Sequence, residues 1–152
     1  MQRRRLLWAA LCGALLLAVT APARAENKVP SPTYQEILIK TSLLTLNDAN
    51  LTGNYDVLHA KLAKPFREQF SAEKLKQIFK PFADQKIDYG LIAAKPPVPT
   101  SEAVIDTRGA LLLRGYFDTK PSRVIYDLAF LPSEGEWKPI RLNVNVKPQD
   151  EK

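Results

Sequence analysis

The sequence predicts an α+β domain, and three observations predict it. Apolar residues recur at helical spacing from Tyr34 to Phe82. From about Ile87 the period shortens to two, the mark of strands. Short turn sequences, Asp118-Thr119-Lys120-Pro121 and Pro132-Ser133-Glu134-Gly135-Glu136, then join neighbouring strands as an antiparallel meander. Helices first and strands after is the order of α+β folds, not of the alternating α/β class.

Residues 1–25 stand apart from this pattern. Arg3, Arg4 and Arg5 precede an apolar run from Leu6 to Val19, and Ala23-Arg24-Ala25 closes it. A basic start, a short apolar middle and a small-x-small end read as a secretory signal peptide, cleaved after Ala25. The run is shorter than the about 20 residues of a membrane span, so no span is expected in the mature chain. Cys12 follows Leu11, where lipidation needs a small residue, so no lipid anchor is expected. The expected location is periplasmic or secreted.

Cleavage changes the composition. The leader carries four of the 22 basic residues and no acid, which leaves 18 basic against 16 acidic residues, a net charge of +2. That charge is too small for the dense patch that counterion-release binding requires, which argues against nucleic acid as a partner. Cys12 is the only cysteine, so the mature chain has no disulfide, thiol nucleophile or thiolate ligand. The 127 residues that follow the leader suffice for one domain burying about two thirds of its unfolded surface.

Residues 26–32 are polar and proline-containing, a flexible lead-in. A single domain is expected over 33–146, with a polar tail at 147–152. Thr33-Tyr34-Gln35-Glu36 has the form of a capping box that opens helix one, and Gly53 supplies its stop. Asn54 would cap a second helix from Tyr55 to about Ala63, with Leu58 and Leu62 on one face and Pro65 ending it or bending the chain. Ser71 would open a third helix, with Phe70 and Leu75 as a hydrophobic staple. Leu75, Ile78, Phe79 and Phe82 would face inward, and Pro81 would limit the helix.

Ile87 to Ala93 is expected as the first strand. Lys95-Pro96-Pro97-Val98-Pro99 is a crossing loop, because proline has no ladder donor. Ser101 to Asp106 resumes a strand, turned by Thr107-Arg108-Gly109. Three further strands follow: Ala110 to Phe117, Arg123 to Leu131 and Trp137 to Val146. Alternation assigns Val124, Tyr126, Leu128 and Phe130, with Ile140, Leu142, Val144 and Val146, to the face that packs on helices. Symmetric hairpins would set Arg114 opposite Asp127, and Asp127 opposite Arg141, on the other face. Tyr116, Ile125, Trp137 and Asn143 would flank that row. Arginine and aromatics with few lysines match interface composition, so this face is an ordinary solvated face with cross-strand ion pairs, a candidate homodimer surface or a ligand surface.

Three segments together resemble the nuclear-transport-factor-2-like superfamily, the SnoaL-like or ketosteroid-isomerase-like cone. They are Leu46-Asn47-Asp48-Ala49 followed by Gly53-Asn54-Tyr55-Asp56-Val57-Leu58-His59; Phe66-Arg67-Glu68-Gln69-Phe70-Ser71; and Leu113-Arg114-Gly115-Tyr116-Phe117 with Val124 to Phe130 and Glu136-Trp137-Lys138-Pro139-Ile140. The resemblance covers about residues 33–146. It implies N-terminal helices on a strongly curved antiparallel sheet (a cone or cystatin-like roll), a pocket between them, and dimerisation through the sheet. It implies no particular activity.

The chemistry-bearing residues are few. A ketosteroid-isomerase-like site needs a pocket carboxylate with tyrosine or acid donors. Asp88 and Asp106 are the candidate acids, although Asp106 sits where aspartate serves turns. His59, the only histidine, lies beside Asp56 and is the other candidate catalytic group. Tyr34, Tyr55, His59 and Tyr126 are candidate pocket residues. One histidine and no mature cysteine offer no transition-metal set, and no phosphate loop or dinucleotide fingerprint is present, so neither metal nor cofactor is expected. Two function classes follow. One is a non-enzymatic binding or accessory domain for a small apolar ligand or an envelope protein. The other is an isomerase or lyase using a pocket carboxylate with a tyrosine or histidine.

Overall fold

The computed structural model describes residues 28–149. The expected leader, 1–25, and residues 150–152 of the tail lie outside the described residues. Four helices lead: α1 Pro32–Thr52, α2 Asp56–Lys61, α3 Lys64–Gln69 and α4 Ala72–Ala83. A 3-10 turn at Gly90–Ala94 precedes five strands, β1 Val98–Pro99, β2 Val104–Ile105, β3 Leu111–Phe117, β4 Ser122–Ser133 and β5 Glu136–Pro148. Every pairing is antiparallel, in the order β1-β3-β4-β5, with β2 on the same edge of β3 as β1. The sheet is open, and β5 is its far edge.

α1 starts earlier than the expected capping box. Ser31 is the cap, its Oγ accepting from the Tyr34 amide at 3.3 Å, and Pro32 takes the first turn, where no amide donor is needed. Glu36 instead pairs with Lys40 at 2.7 Å, one turn along. Val29, in the expected lead-in, packs on the core. Gly53 ends the helix in the left-handed conformation, φ 72°, with its amide donating to the Ala49 carbonyl at 2.8 Å.

Pro65 does not simply stop the chain after α2. It lies in the first turn of α3, a helix that the sequence pattern does not announce. In α4, Ser71 Oγ accepts from the Lys74 amide at 3.1 Å, and Leu75 is buried. Ile78 is a correction: it is 48% exposed, at the rim of an apolar groove rather than inside the core.

The expected strand at Ile87–Ala93 is also corrected. Asn47 of α1 accepts from the Tyr89 amide and donates to the Asp88 carboxylate, both at 3.0 Å. Asp88 in turn accepts from the Gly90 amide at 2.8 Å. This polar grip coils the segment, and the buried pair Tyr89 and Ile92 is spaced by three, not two. The proline-rich crossing loop contributes β1 at the sheet edge, a position proline tolerates.

Two clusters make the interior. Leu38, Ile39 and Leu43 of α1 meet Leu113, Phe117, Leu128 and Phe130 of the sheet. Leu46 and Ala49 meet Tyr55, Leu58, Leu62 and Leu75 in a second cluster under the short helices. Leu142 and Val144 pack against both. Each fully buried leucine or phenylalanine contributes about 1.5–3 kcal/mol relative to exposure.

Register decides the faces. Arg114 pairs with Asp127 across β3 and β4, as symmetry predicts. The β4–β5 hairpin is not symmetric about Glu134. Glu134 and Gly135 both have positive φ, 55° and 84°, and form a two-residue turn between Ser133 and Glu136. A β-bulge opposite Ala129 and Phe130 then shifts the pairing again. Asp127 therefore faces Asn143, and Arg141 faces Ala129. Between turn and bulge the side chains of β5 are inverted. Trp137, expected on the outer face with Arg141, instead packs against the main core beside the buried Pro139.

Candidate functional site

The inversion of Trp137 builds a cavity of about 420 Å³ between α1 and the β4–β5 hairpin. Its inner wall is apolar: Leu38, Leu58, Phe130 and Pro139. Tyr34, Ile37 and Trp137 flank the opening, where Lys61, Glu136 and Lys138 bring charge. A hydroxyl stripe, Thr41, Ser42 and Thr45, runs along the α1 side. Thr41 donates to the Ile37 carbonyl and Thr45 to the Thr41 carbonyl, each at 2.7 Å, so their oxygens face the cavity as acceptors. Lys61 Nζ donates to Thr45 Oγ1 at 2.8 Å. Lys138 Nζ donates to Glu134 Oε2 at 2.7 Å, and Arg67 bridges to the same carboxylate at 3.0 Å. Those two cations hold the Glu134 carboxyl below the usual range.

A second, more open cavity of about 630 Å³ lies between the start of α1 and the β1–β2 connection, with Tyr126, Leu113 and Ile39 in its wall. Burial pushes the Tyr126 phenol up to about 12. Gly115, paired with Tyr126, leaves room for this ring: a Cβ there would collide with the Val98 carbonyl and the Tyr126 phenol.

The four candidate pocket residues do not converge. Tyr34 lines the first cavity and Tyr126 the second. Tyr55 is buried under α4, donating to Asn50 Oδ1 at 2.6 Å and stacking on Phe79 with ring centroids 6.2 Å apart. His59 is half-buried on α2, its Nε2 3.0 Å from the Arg67 carbonyl. The candidate acids serve turns. Asp88 is held low by hydrogen bonds from the Gly90 amide and from Asn47. Asp106 accepts from the Ala110 and Arg108 amides, each at 2.9 Å, and the first of these does most to hold its carboxyl low.

The outer sheet face gathers the remaining candidates except Trp137. Asp127 Oδ1 accepts from Arg114 Nε at 3.2 Å and Arg141 Nη2 at 2.8 Å. The Arg123 guanidinium lies 4.2 Å from the centre of the Tyr116 ring, which neighbours Ile125 across the ladder, and Asn143 completes the row.

Thr41, Thr45, Lys61 and Lys138 were missed as site residues. Thr41 and Thr45, four apart on α1, were the available signal: hydroxyls on one stripe of an otherwise apolar helix mark a polar margin. Lys138 had none, because its partner Glu134 depends on the hairpin turn. Among the described residues no helix is long and apolar enough to cross a membrane, and no three metal-ligating side chains cluster. Comparison with protein-family models, with curated proteins and with solved structures gave no match.

Proposed function

We propose that this chain is a periplasmic or secreted binding domain, without catalytic activity, that holds a small apolar ligand between α1 and the β4–β5 hairpin. The reading includes removal of residues 1–25, a cone of the nuclear-transport-factor-2-like kind, and pairing of two copies through the outer sheet face. The cavity carries it. A space of about 420 Å³ walled by Leu38, Leu58, Phe130 and Trp137 is of the size and lining that small ligands occupy.

The alternative, an isomerase or lyase, needs a carboxylate of raised pKa inside such a space. Asp88 and Asp106 are instead stabilised as anions in turns, and neither lines this cavity. The arrangement therefore favours binding over proton transfer.

Native mass spectrometry of the 26–152 protein, purified from a bacterial periplasm, tests the reading. A co-purified small mass that Leu38→Trp excludes, on a protein that still folds, is the expected result. Bare protein that also ignores a neutral apolar probe such as decanol would overturn it. A dimer peak is expected, and a strict monomer would remove the homodimer part alone.

A further inference from the structure

We infer that the cavity between α1 and the β4–β5 hairpin takes an aliphatic carboxylate, chain inward and carboxylate on Lys61. The inference rests on the apolar-ligand reading above and adds the headgroup.

The cavity is polarised. Leu38, Leu58, Phe130 and Pro139 offer a hydrocarbon chain an apolar wall, in which the buried Ser42 is the one hydroxyl. The polar groups collect on one side. Thr41 and Thr45 have their protons committed to α1 carbonyls, so they present acceptors only. A neutral alcohol headgroup would find partners there. Lys61 adds a different requirement.

Among the described residues, Lys61 has no carboxylate partner; its ammonium donates to the neutral Thr45 hydroxyl at 2.8 Å. The other cation at the mouth, Lys138, is paired with Glu134 at 2.7 Å, a carboxylate it shares with Arg67. Lys61 is thus the one cation lining this apolar space that is in salt-bridge reach of no carboxylate among the described residues. A single negative charge on an apolar tail satisfies both halves at once. A doubly charged phosphate would leave one charge unmatched, and Glu136 at the same mouth makes that worse. Glu136 also sets a sign: its carboxylate opposes any anion bound at Lys61, so its removal must tighten binding.

Trp137 provides the readout. Residues 26–152 contain no other tryptophan, since Trp8 is in the leader, and Trp137 forms part of the cavity wall. The 26–152 protein is titrated at neutral pH with decanoate, with decanol and with phosphatidylglycerol vesicles, following Trp137 emission. The expected result is a blue shift that saturates with decanoate, with an affinity about fivefold above that for decanol. Lys61→Met abolishes the preference for decanoate over decanol. Glu136→Gln strengthens decanoate by a few-fold. Lys61 is exposed, so Lys61→Met folds, and circular dichroism checks it.

Equal affinity for decanol and decanoate, or a Lys61→Met protein that keeps the preference, overturns the carboxylate and leaves the apolar-ligand reading standing. A response to vesicles without one to decanoate assigns the site to membrane lipid and overturns the inference. Silence toward decanol and decanoate overturns both readings.

Discussion

Arg141 reaches Asp127 on the diagonal: Nη2 lies 2.8 Å from Asp127 Oδ1, although Asp127 is paired with Asn143 and Arg141 with Ala129. The two-residue turn and the bulge opposite Ala129 and Phe130 make the diagonal, each by one residue. Together they offset Arg141 along β5 by two residues, which preserves its face, and the long guanidinium spans the offset. Arg114 approaches the same oxygen from β3, so one carboxylate serves two arginines.

Asp127→Ala should cost the isolated chain about 1 kcal/mol or less, because the carboxylate is 36% exposed and exposed ion pairs contribute little. Where two copies bury this face, the same change leaves two arginines unmatched and should weaken the dimer about tenfold or more. Urea denaturation and sedimentation at several concentrations separate the two effects. A dimer of unchanged affinity removes this face from the interface.

Gly115→Ala should destabilise the fold by about 1–3 kcal/mol. The added Cβ points at the Val98 carbonyl and the Tyr126 phenol, between β1 and β4, where backbone cannot yield cheaply. Denaturant midpoints measure it, and a neutral outcome would show that β1 detaches freely from the sheet edge.

Ser31→Ala should lose about 0.5–1 kcal/mol of helix stability, whereas Thr33→Ala should lose almost none. The Ser31 hydroxyl accepts from an α1 amide, and Thr33 is already inside the helix. Paired thermal melts decide it. The reverse order would restore the capping box at Thr33.

Alkaline titration should find Tyr126 among the last phenols to ionise. Burial holds it neutral in the fold to about 12, against about 10 in the unfolded chain. The folded state thus binds the proton more tightly. Its contribution is complete below pH about 10 and is lost as pH rises through about 12. Absorbance at the phenolate band, with circular dichroism alongside, follows both events. A Tyr126→Phe protein should show a smaller late phase, the rest belonging to Tyr89 and Tyr55, both also raised by burial, and a late phase of unchanged amplitude would remove Tyr126 from it.

The sequence by itself determined the α+β order, the caps at Ser71 and Gly53, the three long strands, the alternation of β3 and β4, and the pairing of Arg114 with Asp127. These depend on neighbours within a few residues: period, capping hydroxyl, turn. It also showed that Asp106 suits a turn. Tertiary structure decided what depends on contacts distant in the chain. Asn47 reaches 42 residues ahead to the Tyr89 amide and coils a segment that alternation reads as a strand. The two-residue turn at Glu134-Gly135 and the bulge after it each shift the register by one residue. Neither shift is written in the hydrophobic pattern of β5, since Trp137, Pro139 and Ile140 suit either face. The turn alone moves Trp137 from the outer face to the cavity wall, and the bulge beyond it returns Arg141 to the outer face. A period of two records that a strand has faces; only the partner strand and the packed helix decide which face is which.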